Sequence, residues 1–82
     1  MTQLQAEEVA AAAGKVLRRL RKEMDLTQEK LSFKATIQRN FVSEIELGLK
    51  QPSLFTIFKI AQALDVTPHQ FVLLVQEQLE EK

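Results

Sequence analysis

The stretch from Leu26-Thr27-Gln28-Glu29-Lys30-Leu31, through the turn Ala35-Thr36-Ile37, to Val42-Ser43-Glu44-Ile45-Glu46-Leu47-Gly48 decides the fold. It reads as two short helices joined by a tight turn. Thr27 suits the N-cap of the first, its hydroxyl accepting from an early backbone N–H, and Leu31 and Ala35 fall on the inward side. Lys30 stands where a capping box needs Glu or Gln, so that box is incomplete. In the second helix Val42 and Ile45 share a buried face, leaving Gln38, Arg39, Asn40, Ser43 and Glu44 on an open polar edge. Gly48 is the residue best able to end it in a left-handed conformation.

Apolar residues keep helical spacing outward from this pair. A first helix runs from about Leu4 or Ala6 to Met24, with Val9, Ala13, Leu17, Leu20 and Met24 as its buried stripe. Its alanine-rich start favours helix but offers little to bury, so the first turns fray. After the loop Leu49-Lys50-Gln51-Pro52, Ser53 caps a fourth helix whose stripe is Leu54, Ile57, Phe58, Ala61 and Leu64. Thr67-Pro68-His69-Gln70 starts a fifth, with Thr at N-cap, Pro at N1 and Gln at N3. The acidic tail Glu77–Lys82 is its fraying end. There is no internal repeat, and the expected class is all-α.

With 82 residues, 45% of them hydrophobic, the chain suits one small domain. It has no cysteine and one histidine, which exclude a disulfide framework and a thiolate or histidine-cluster metal site. The absence of a glycine-rich phosphate loop or a nucleophile–base pair argues against an enzyme, and no cofactor is expected. His69 is a surface residue at a helix start. The segment Met1–Gly14 carries Glu7 and Glu8, lacks a basic leader and offers no run long enough for a membrane span, so a soluble cytoplasmic protein is expected.

Net charge is zero, which at first argues against a nucleic-acid partner. The distribution is uneven. Residues 15–59 carry ten basic side chains against five acidic ones, whereas residues 1–14 hold −2 and residues 60–82 hold −3. The field is positive over the centre.

From about Lys15 to Phe71 the chain resembles the Cro/C1-type, or XRE, helix-turn-helix family of phage and bacterial repressors. The resemblance rests on Leu17-Arg18-Arg19-Leu20-Arg21, Leu26-Thr27-Gln28-Glu29-Lys30-Leu31, Phe41-Val42-Ser43-Glu44-Ile45-Glu46-Leu47-Gly48, Pro52-Ser53-Leu54 and Ile60-Ala61-Gln62-Ala63-Leu64-Asp65-Val66, in order and without large gaps. Compact single-domain members, such as the controllers of restriction–modification systems, are similar in length. The resemblance implies an all-α, lambda-repressor-like bundle of five helices spanning residues 1–82, with its core at 15–71. Residues 72–82 then form the end of a dimerisation helix and an acidic tail.

It also implies double-stranded DNA as partner, with the third helix in the major groove, about 12 Å wide. On that helix Gln38, Arg39, Asn40, Ser43 and Glu44 are the expected base readers: Arg39 can give two parallel donors to guanine, Asn40 and Gln38 can donate to and accept from adenine, and Glu44 can accept from cytosine N4 or repel phosphate in a wrong register. Gln28 matches the family's phosphate-anchoring glutamine, with Thr27 beside it, and Lys34, Lys50 and Gln51 complete the expected phosphate set. Arg21 and Glu46 match a family pair that forms an internal ion pair. Three positions depart from the pattern. Thr36 stands where the turn usually has Gly, Gln38 replaces the usual Ser or Thr cap, and Leu47 occupies a place often polar or basic.

Phe71-Val72-Leu73-Leu74-Val75 is apolar around most of a helix, and Leu79 extends one side. Either an intramolecular core or another surface covers it. By resemblance the cover is a second copy, a homodimer through Phe71, Leu74, Val75, Gln78 and Leu79 reading two half-sites about one DNA turn apart. The expected function is a sequence-specific transcriptional regulator. The alternative is an antitoxin or adaptor that holds a protein partner on the apolar last helix and uses DNA binding for autoregulation.

Overall fold

Five helices follow one another in the computed structural model, which describes residues 3–81: α1 (Ala6–Glu23), α2 (Gln28–Ala35), α3 (Arg39–Glu46), α4 (Leu54–Ala63) and α5 (Pro68–Glu80). No strand occurs among the described residues. Helix starts follow the side-chain chemistry. Thr27, Ser53 and Thr67 each accept from the backbone N–H three residues on, and Gln70 returns the bond to Thr67, completing a capping box. At α1 the Glu8 carboxylate accepts from Gln5 N–H at 3.0 Å. Gln38 caps α3 by position alone, with no side-chain bond.

The helix ends share one device. After α1, α2, α3 and α4 a residue turns left-handed, and the next N–H reaches back five residues: Leu26 to Arg21, Ile37 to Ser32, Leu49 to Glu44 and Val66 to Ala61, all at 2.9–3.1 Å. The left-handed residues are Asp25, Thr36, Gly48 and Asp65. Aspartate tolerates this region better than most residues, whereas β-branched Thr36 at φ 57° bears real strain. The turn accepts the strained conformation that glycine would relieve.

Val16, Leu17, Leu31, Val42, Ile45, Ile60 and Phe71 are fully buried, each large apolar side chain contributing about 1.5–3 kcal/mol relative to exposure. Helix α1 packs along α5 and crosses α3, while α2 packs on α3 and α4. The α1–α3 crossing is close. A Cβ on Gly14 would lie 2.3 Å from the Ile45 carbonyl oxygen, so backbone meets backbone there.

Two stripes differ from the sequence reading. Met24 lies just beyond α1 and is exposed. On α4 the buried side is Ile60, Ala61, Ala63 and Leu64, with Ile57 half-buried, while Leu54 and Phe58 are 68% and 52% exposed. Seven of the ten residues of α4 are apolar, so spacing alone does not choose a face.

Candidate nucleic-acid interface

The pose of α3 is set by a buried polar clamp. Arg21, on the last turn of α1, grips Glu46 through two bonds, Nε to Oε2 at 2.6 Å and Nη2 to Oε1 at 2.9 Å. Its Nη1 donates to the Leu26 carbonyl at 2.8 Å, fixing the connection into α2. From α2 itself, Gln28 Nε2 donates to Glu46 Oε1 at 3.1 Å. One carboxylate, with its side chain 3% exposed, thus ties three helices together. The hydrogen bond to Glu46 raises the pKa of Arg21 against the opposing effect of burial, so the guanidinium remains charged throughout the accessible pH range. No buried side-chain polar atom among the described residues lacks a partner.

With α3 held from behind, its outer edge is open. Gln38, Arg39 and Asn40 are exposed, and Ser43 and Glu44, one turn further along, are half-buried. The N-terminal turns of α2 and α3 converge on a shallow depression lined by Arg21, Thr27, Gln28, Glu29 and Arg39. The first amides of α2 have no acceptor within the helix, and the positive end of the helix dipole lies there, a combination suited to a phosphate oxygen. Thr27, Gln28 and Arg39 therefore share one concavity.

The other expected phosphate residues do not join them. Lys34 is exposed in the last turn of α2, at the opposite end from Gln28. Gln51 donates its amide to the Ala6 carbonyl at 3.1 Å and so ties its loop to the start of α1. Lys50 Nζ lies 3.5 Å from Glu44 Oε1, a contact between two expected DNA residues that the sequence reading did not contain.

Of the expected dimer residues one is excluded by burial, and further exposed apolar side chains lie beside the others. Phe71 is fully buried in the protein's own core, because the first turn of α5 docks inward, and it cannot serve as a dimer contact. Leu74, Val75, Gln78 and Leu79 are half-buried, and Leu74 and Val75 pack against the core. The exposed apolar residues of α5 are Val72 and Leu73, which line a groove with Leu54, Phe58, Pro68 and His69. Phe55, 72% exposed, extends this face, with Lys59 Nζ 5.1 Å above its ring. Sequence reasoning placed Leu54 and Phe58 in a buried stripe and did not single out Phe55. The available signal was an α4 with more apolar residues than one buried face can use.

No helix is long and apolar enough to cross a membrane, and no group of three His, Asp or Glu side chains suited to a metal occurs among the described residues.

A family model described as helix-turn-helix matches residues 17–71. The chain is 39% identical over 56 residues to control protein C.BamHI of Bacillus amyloliquefaciens, covering 67% of this chain and 69% of that protein. It is 34% identical over 59 residues to an uncharacterized HTH-type transcriptional regulator, y4dJ, of Sinorhizobium fredii, covering 72% of this chain and 77% of that one. The crystal structure of the restriction-modification controller protein C.AhdI from Aeromonas hydrophila superposes with a TM-score of 0.73 and 37% identity, over 76% of this chain and 94% of that chain.

Proposed function

The chain belongs to the helix-turn-helix family, and from that premise we propose that it is a sequence-specific DNA-binding transcriptional regulator that acts as a homodimer in the cytoplasm, without catalysis of its own. One observation carries the reading: five polar side chains, Gln38, Arg39, Asn40, Ser43 and Glu44, line the accessible edge of α3, whose opposite side is clamped through Glu46. An edge so held can enter the major groove without reordering, and its residue types match the donor and acceptor patterns of base pairs. Thr27, Gln28 and the start of α2 then set the register through phosphate. Similarity to a control protein and a transcriptional regulator favours this over the antitoxin reading.

Dimerisation uses the α4–α5 face. Leu54, Phe58, Val72 and Leu73 line one exposed apolar groove, Phe55 lies beside Phe58 at its edge, and a second copy of the chain is the cover this reading assigns to them. Sedimentation at high micromolar concentration should give a dimer, and a monomer there removes this part of the reading.

Selection of bound duplexes from a random pool, at stated salt, tests the function. An inverted repeat should emerge. Arg39→Ala should then lose roughly 5- to 150-fold in discrimination at one base position of each half-site. A protein that kept its base preference after this change would not be reading DNA through α3.

A further inference from the structure

Two residues given different tasks on DNA touch one another before any DNA arrives. Glu44 lies on the reading edge four residues after Asn40, and its Oε1 is 3.5 Å from Lys50 Nζ. The approach is built into the backbone. Gly48 turns the chain at φ 76°, Leu49 N–H closes on the Glu44 carbonyl at 2.9 Å, and Lys50 is thereby carried back alongside α3. Both side chains remain accessible, 58% for Lys50 and 37% for Glu44, and a pair so exposed holds weakly enough to be exchanged for other partners.

The chemistry of each partner on DNA is opposite. A carboxylate on an edge facing a polyanion is repelled unless it is neutralised or accepts from a base, and cytosine N4 is the donor it fits in the major groove. An ammonium engaged by that carboxylate displaces no counterion from phosphate; once free, it displaces one.

We propose that Glu44 and Lys50 form an exchange pair. On non-cognate DNA the pair stays closed and the two charges cancel. At a cognate cytosine Glu44 accepts from the N4 amino group, and the Lys50 ammonium passes to a neighbouring phosphate. One matched base is thereby read twice, as a base contact and as an added phosphate contact. This rests on the regulator reading above and assigns a specificity device within it.

The test is the slope of log affinity against log salt for the wild type, Glu44→Gln and Lys50→Gln, each on the selected duplex and on a random one. Far-ultraviolet circular dichroism should show unchanged folding, since both side chains are accessible. Lys50→Gln should reduce the slope by about 0.9 on the selected duplex and by clearly less on the random one, where it removes no phosphate contact and only uncovers the Glu44 charge. Glu44→Gln should steepen the random-duplex slope by about 0.9, because Lys50 is then always free, and should cut the ratio of specific to random affinity by about tenfold. Equal loss of slope on both duplexes in Lys50→Gln makes that lysine an ordinary phosphate contact and overturns the proposal. So does a Glu44→Gln protein with both slopes intact. Failure of the wild type to prefer any sequence overturns the regulator reading itself, and the pair with it.

Discussion

Glu44 and Glu46 are the same residue two positions apart on one short helix, yet they live in different electrostatic worlds. Two steps along an α-helix are about 200°, so the second points where the first does not. Glu46 faces inward, 3% exposed, and accepts from Arg21 twice and from Gln28 once. Glu44 faces outward, 37% exposed, with Lys50 at 3.5 Å. The lesson concerns division of labour. A helix that must offer charge and polarity to a partner needs its own position fixed by interactions that partner cannot disturb, and burial supplies that protection.

The largest expected effect tests the inward member. Glu46→Ala strands the buried guanidinium of Arg21 and should cost about 3–5 kcal/mol, a substantial part of the roughly 5–15 kcal/mol that holds a domain together. Denaturant titration measures it. A loss under about 1 kcal/mol would put Glu46 in the same class as Glu44 and erase the contrast.

The next change asks whether the clamp or the preceding turn aims α3. Thr36→Gly removes a β-branched residue from the left-handed region and should gain about 1 kcal/mol in melting experiments, once the extra backbone entropy of glycine is set against the strain relieved. DNA affinity should not change, because the Arg21–Glu46–Gln28 cluster still holds the helix. An altered affinity would move control of the helix pose from the cluster to the turn.

Smallest is the outward member. Glu44→Ala should shift stability by no more than about 0.5 kcal/mol, as exposed pairs do, and a larger loss would reveal a structural role the geometry does not contain.

Much of this was legible in the chain. Thr27, Ser53 and Thr67 announced three helix starts because a cap is local chemistry between a hydroxyl and an N–H three residues away. The polar edge from Gln38 to Glu44 followed from the positions of Val42 and Ile45, and the Arg21–Glu46 pair came from family resemblance. What escaped depended on choices that spacing does not encode. Phe71 reads as surplus apolar surface until α5 is docked on α1, when it becomes core. Leu54 and Phe58 share α4 with enough other apolar residues to hide which side faces water. Lys50 meets Glu44 only because the chain doubles back at Gly48, and a meeting across a loop leaves no periodic trace.

Gly14 sits in the middle of a helix, where its want of a side chain looks like a weakness, yet it lets the spine of α1 lie directly on the carbonyls of Ile45 and Glu46. The far end of α3 therefore rests on a fulcrum only one hydrogen atom high. Even a methyl group there would press on backbone oxygens that cannot swing aside, so one helix or the other would have to give way to admit it.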